Sequence, residues 1–189
     1  MEVSMILSDK DIKKYINEGK IKITPYDEKE QLKSIGVDLK LGNTFKIFKV
    51  THKAYVDLSD EHYEPDTETV DIPSGGTFIL HPDEFVLGIT EENIELPNNI
   101  MAHIDGRSSL GRLGIGVHST AGHVDPGWKG KLTLEISNIG KLPISILPGM
   151  RFCCLIFETL SSPVEREYRG KYFGQEGPVE SRISRDFKE

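Results

Sequence analysis

Apolar and polar residues alternate along several stretches of this chain. Val37, Leu39 and Leu41 interleave with Asp38 and Lys40, and Leu132, Leu134 and Ile136 interleave with Lys131, Thr133, Glu135 and Ser137. A period of two puts each apolar set on one face of a strand. Gly42-Asn43 reads as a turn into Phe45–Val50, and His81-Pro82-Asp83-Glu84 as a turn between Phe78–Leu80 and Phe85–Leu87. Leu96-Pro97-Asn98-Asn99 marks a further break, and Pro148-Gly149 separates Leu142–Leu147 from Phe152–Phe157. One segment has a helical period instead. From Ser8 to Glu18, Ile12, Tyr15 and Ile16 form a stripe, Ser8 can cap, Asp11 follows three residues on, and Gly19 can end the helix. Short strands joined by Gly/Pro turns predict an all-β sandwich or barrel behind one short N-terminal helix.

Two stretches depart from this pattern. Residues 56–75, rich in Asp, Glu and Pro, read as a surface excursion. From about Glu165 the chain turns polar, with glycines and few aliphatic residues, and predicts a mobile C-terminal tail over 165–189. By composition that tail is simply solvated. Yet Tyr168, Arg169, Lys171, Tyr172 and Gln175 are types that could close over a phosphorylated, ring-containing ligand.

Composition narrows the class. At 189 residues the chain suits one domain with a sizeable core. No apolar run approaches the length of a membrane span, and the N-terminus lacks an export-type segment. The only cysteines, Cys153 and Cys154, are adjacent, which suits a reducing cytoplasm better than a disulfide framework. A net charge of −7 argues against general nucleic-acid binding, so a polyanionic ligand would need a local cluster of cations.

Such a cluster lies in Gly106–Gly114, GRSSLGRLG. It is neither a Walker loop nor G-x-G-x-x-G. Arg107 and Arg112 offer guanidinium forks that match phosphate oxygens, and Ser108 and Ser109 add hydroxyls. A plain turn or a subunit contact explains the same residues equally well. Glu135 follows on the polar face of its strand. Such a glutamate is usually just solvated, but behind an anion-binding loop it could take a proton from water and return it to a leaving group. Asp125-Pro126-Gly127 is a turn beside Trp128, the only tryptophan. It is either a turn with a ring packed over it or a sugar site with Asp125 as acceptor. His118 and His123 have no second pair at ligand spacing. The H-x-E and P-C-x-x-C motifs of zinc deaminases are missing, so no protein-held transition metal is expected.

These residues resemble the dCTP deaminase family, which belongs with the trimeric dUTPases. The likeness runs from MILSDKDI at Met5–Ile12 through VDLKLGNTF, DGRSSLGRLG, TAGHVDPGWKGKLTLE and GKLPISILPGM to YRGKYFGQEG in the tail. It implies a mainly β, distorted jelly-roll-like barrel of the dUTPase-like (β-clip) type. It also implies a homotrimer or dimer of trimers with active sites between subunits, and zinc-independent deamination of dCTP. Glu135 matches the water-activating glutamate. Ser108 and Arg112 match residues that arrange the water and that glutamate, and the Ala121 carbonyl matches an acceptor for the reacting centre. Arg107 and Ser109 match phosphate contacts, and Asp125 and Thr133 match nucleoside-binding positions. Tyr168, Lys171 and Gln175 match the tail residues that close on the triphosphate. Mg2+ is implied on that triphosphate, and dTTP is implied as an inhibitor.

The resemblance leaves the product open. Gly122 after Ala121 is similar to members that carry dUTP on to dUMP. His123 fits neither type, and Cys154 stands where many dUMP-forming members and dUTPases have glutamine. GKLP and the short tail favour release of dUTP, which is the expectation. The alternatives are a bifunctional dUMP-forming enzyme, or a dUTPase alone with Asp125 as base. A non-catalytic nucleotide-binding trimer is disfavoured by the intact Ser108, Arg112 and Glu135.

Overall fold

The computed structural model describes residues 5–52, 54–118 and 120–187. The last two residues of the predicted tail, and Ser119 of the HSTAGH motif, lie outside the described residues. The expected helix spans Asp9–Asn17. The Ser8 hydroxyl accepts from the Asp11 amide, and Ile12 is fully buried. Gly19 follows at φ +69°, the left-handed conformation that ends helices.

The rest is mainly β, and all pairing among the described strands is antiparallel. One sheet runs His123–Val124, Ile100–Gly106, Arg151–Thr159, Gly36–Lys40, Leu32–Lys33, with Met5–Ile6 also on Arg151–Thr159. A second runs Ile115–Val117, Thr133–Asn138, Phe85–Ile89, Thr44–Phe48, Thr67–Asp71. A three-stranded and a two-stranded sheet complete the set, and the sheets stand separately instead of closing into one hydrogen-bonded barrel. Their inner faces meet in one core. Phe45 stacks on Phe78 with ring centroids 4.3 Å apart, and Leu39, Leu134, Phe152 and Phe157 are fully buried.

Three sequence expectations change. Residues 56–75 are not only a surface excursion, since Thr67–Asp71 pairs with Thr44–Phe48 as the edge of the second sheet. Its Thr and Val residues suit a strand, but the acidic residues around them hide the signal. Asp38 was expected on a polar face, yet it is buried, because both faces of Gly36–Lys40 are covered. The tail is not a detached solvated end. Residues 168–179 are hydrogen-bonded along residues 126–133, and Ile183–Phe187 form a 3-10 turn.

A buried carboxylate ties the N-terminal part to the sheets. Glu92 has no exposed surface; it accepts from Gln31 Nε2 at 2.7 Å and from the Lys40 amide at 3.0 Å. Desolvation pushes its carboxyl up to about 7, against the lowering effect of those donors.

Candidate functional site

The alternation that predicted the Thr133–Asn138 strand also sets the site. Leu134 and Ile136 enter the core, while Thr133 and Glu135 share the opposite face and pair with Ile89 and Leu87. That face lines a cavity of about 450 Å³, within the usual range for small-molecule pockets. Glu135, Thr133 and Leu87 form one side, and Ala121, His123 and Asp125 line another. The tail adds Tyr168, Tyr172, Gln175 and Val179.

The loop before His123 is shaped by its own hydrogen bonds. The His118 amide donates to the Glu135 carbonyl at 2.9 Å, fixing the loop to the glutamate's strand. His118 sits at φ +60°, and its Nε2 lies 3.0 Å from the Ala121 carbonyl oxygen. A carbonyl only accepts, so Nε2 donates, and in the neutral ring Nδ1 is then the acceptor. Among the described residues, His118 Nδ1 and Gln175 Oε1 are buried polar atoms without a hydrogen-bond partner, and both residues line the cavity. Buried acceptors left unpaired are costly, so a ligand with donors would gain by meeting them.

The tail is seated by main-chain contacts. Gly174 N–H donates to the Lys129 carbonyl at 2.8 Å, and Lys131 N–H donates to the Gln175 carbonyl at 2.9 Å. Val179 N–H donates to the Thr133 hydroxyl at 3.2 Å. Two glycines make room. A Cβ on Gly127 would lie 2.5 Å from Glu167 Cβ, and one on Gly130 would lie 3.0 Å from the Gln175 backbone; both have positive φ. Trp128 is buried, donates Nε1–H to the Gly130 carbonyl at 3.1 Å, and packs on Tyr168 with centroids 5.5 Å apart. Burial pushes the Tyr168 phenol up.

Of the residues singled out in the sequence, Glu135, Ala121, Asp125, Thr133, Tyr168 and Gln175 meet at this cavity. Arg107, Ser108, Ser109, Arg112 and Lys171 do not line it. The Ser108–Gly111 turn buries Leu110 and leaves Ser108, Ser109 and Arg112 exposed. Arg107 turns towards Asp38, with Nε 3.4 Å from Oδ2. Lys171 pairs with Asp186, which belongs to the same tail. Among the described residues, the cavity of one chain therefore has no Lys or Arg in its lining. Sequence reasoning missed Phe48 and Phe85, which line the cavity and approach each other at 5.6 Å. Within strands they carry only the signal of core residues. It also missed Val179, which nothing in the polar tail marks.

Among the described residues, no three His, Cys, Asp or Glu side chains cluster closely enough to hold a metal ion. A divalent ion carried on phosphate oxygens would not need such a cluster.

A family model described as dCTP deaminase-like matches residues 6–160. A protein of Methanosphaera stadtmanae named "dCTP deaminase, dUMP-forming" is 49% identical over 96% of this chain and 95% of its own length. One of the same name from Dictyoglomus thermophilum is 50% identical over 97% of both chains. A "dCTP deaminase" of Alteromonas mediterranea is 42% identical over 96% of this chain and 98% of its own. Among solved structures, the 2'-deoxycytidine 5'-triphosphate deaminase of Agrobacterium tumefaciens aligns with a TM-score of 0.65 at 22% identity. It matches 84% of this chain, which spans about half, 49%, of that structure's chain, and it shares the fold.

Proposed function

We propose, from the premise that this chain belongs to the dCTP deaminase-like family, that it hydrolyses dCTP at C4 of the cytosine. Water adds at C4 and the exocyclic nitrogen leaves as ammonia. The observation that carries this reading is the meeting of Glu135, Ala121, Asp125 and Thr133 at one cavity. Glu135 takes the proton from the attacking water and returns it to the departing nitrogen. The Ala121 carbonyl accepts from the reacting centre, and its His118 contact holds that carbonyl in place. Asp125 and Thr133 hold the deoxynucleoside. Tyr168, Lys171 and Gln175 close on the triphosphate, with Lys171 leaving Asp186 to do so.

Among the described residues the cavity has none of the cations a triphosphate needs, and the exposed Ser108–Gly111 turn with Arg112 at its end does not line it. Both facts support a homotrimer, or a dimer of trimers, in which the turn of one subunit completes the cavity of the next. Arg107 and Ser109 then meet phosphates, while Ser108 and Arg112 arrange the water and Glu135. Mg2+ bound to the triphosphate neutralises part of its charge, and the chemistry uses no zinc. dTTP, with the same sugar and triphosphate, competes for the cavity. The whole chain forms a single domain, and the bridge-free cysteines suit the cytoplasm.

For the fate of dUTP, we favour hydrolysis onward to dUMP and diphosphate over the release suggested by GKLP and the short tail. The relatives at 49% and 50% identity bear the dUMP-forming name. Gly122 after Ala121, which resembles the dUMP-forming members, points the same way. Incubation with dCTP and magnesium, separating dUTP, dUMP, diphosphate and ammonia over time, tests both steps. No ammonia would end the deaminase reading; ammonia with accumulating dUTP and no dUMP would restore simple release.

A further inference from the structure

The second sheet carries a row of three paired residues on the face that lines the cavity. Leu87 stands opposite Glu135 on one neighbouring strand and opposite Lys46 on the other. Directly paired residues of an antiparallel sheet share a face, so Lys46 lies on the side of Glu135, two strands away. Phe48, two residues further along the same strand, lines the cavity, while Phe45 is buried in the core. Lys46 itself stands outside the cavity lining.

Its ammonium donates to the carboxylate of Glu180, a tail residue. The two side chains are only 20% and 32% exposed, so this is not an ordinary surface pair, which contributes little. Burial alone would raise the Glu180 carboxyl, but the hydrogen bond from Lys46 outweighs it and holds the group below its usual range. The pair fixes the path of the tail. Val179 is tied to Thr133, Pro178 before it is buried, and Glu180 then reaches Lys46, so the chain crosses from the Thr133–Asn138 strand past Phe85–Ile89 to Thr44–Phe48. It turns back directly afterwards: Arg182 N–H donates to the Tyr172 hydroxyl at 3.1 Å, and Asp186 pairs with Lys171. Val179 and Ser181, on either side of Glu180, both line the cavity. The pairs Arg169–Glu167 and Lys171–Asp186 fasten the tail to itself; Lys46–Glu180 fastens it to the sheet.

We propose that Lys46 and Glu180 are positioning residues, an ionic latch that seats the tail over the cavity before the nucleotide arrives and so strengthens its binding. The inference rests on the reading of this cavity as the dCTP site. A tail already held in place adds little ordering cost when the ligand binds; a loose one adds that cost to every binding event. Neither side chain has to touch the nucleotide for this. The contact is made by one lysine on a strand and one glutamate far along the chain, so it belongs to these two residues and not to the main-chain bonds that seat residues 174–179.

The test is hydrogen–deuterium exchange of the full-length protein without nucleotide, followed by steady-state kinetics. In wild type the peptide that contains Val179 should be protected. Lys46→Met and Glu180→Gln should each raise its exchange about fivefold, the order expected for one partly buried ion pair, with the melting temperature unchanged. The exchanged pair, Lys46→Glu with Glu180→Lys, should recover protection. The KM for dCTP should rise by a similar factor in each single variant, kcat should fall less, and the exchanged pair should recover both. Exchange equal to wild type in both single variants, an exchanged pair no better than they are, or a loosened tail with an unchanged KM overturns the proposal. If dCTP yields no ammonia, the deaminase reading fails by itself, and the exchange arm, which needs no nucleotide, still decides whether this pair latches the tail.

Discussion

The main-chain amide of Val179 donates to the hydroxyl of Thr133 at 3.2 Å, so the tail is tied to the cavity face at that atom. The hydroxyl keeps its own O–H donor and a second lone pair. A ligand that met Thr133, as proposed, would share that oxygen with the tail.

Cutting the chain before Tyr168 should leave the sheets folded, since among the described residues the fully enclosed apolar core ends at Phe157 and Tyr168 and Tyr172 only pack against it. It should raise the KM for dCTP and lower turnover, because closing segments exclude water and complete a site. Gly130→Ala should act in the same direction with every catalytic group intact, because its Cβ would press on the Gln175 backbone. Steady-state kinetics and circular dichroism check both. Unchanged KM and kcat in the truncated protein would return the tail to a solvated end.

Glu135→Gln keeps the shape of the side chain and removes the base. Turnover should fall by about 10² to 10⁴ while dCTP still binds. Retention of more than about a tenth of wild-type turnover would remove Glu135 from the acid–base role, since general acid–base loss costs more.

Mixing Glu135→Gln subunits with Arg112→Ala subunits, each inactive alone, should restore part of the activity. Arg112 is exposed and absent from its own chain's cavity, so some mixed sites would contain both native residues. Verified mixed oligomers without any recovery would count against shared sites.

If the ion is carried by the substrate's phosphates, as proposed, activity should vanish with EDTA and return with magnesium. Recovery by stoichiometric zinc in place of magnesium would contradict this.

Glu92 makes stability depend on pH. Its folded carboxyl titrates near 7 against 4.5 for an unperturbed one. The folded state thus holds a proton that the unfolded state has released between these values. The group's contribution is complete below about 4.5 and is lost as pH rises through about 7, a loss on the order of 3 kcal/mol. Glu92→Gln retains the Oε1-type contacts to Gln31 and Lys40 without titrating. Its Tm relative to wild type should rise between pH 5 and pH 8. Parallel melting curves across that range would show that Glu92 does not titrate there.

Local pattern carried much of this molecule. The helix with its Ser8 cap and the strand bearing Glu135 were legible because each depends on neighbours in sequence. The cavity was half legible: Glu135, Ala121 and Asp125 lie within one run of residues. Phe48, Phe85 and Val179 were not, because their place there depends on which strands pair and where the tail lands. Asp38 escaped for a related reason. Alternation predicts an outward side chain, and only the arrival of Arg107 and Arg151 from distant segments makes its burial tolerable. The tail's polarity hid its docking, since backbone hydrogen bonds leave no trace in composition.

That docking has an evolutionary reading. Gly174, Gln175 and Val179 hold their places through amides and carbonyls that every residue but proline supplies. The side chains at Tyr172 and Val179, which line the pocket, can therefore be exchanged without losing the register that brings them there. Grip and selectivity are inherited separately here. Descendants of this chain are free to try new preferences for their nucleotide while the strap that presents them stays where it is.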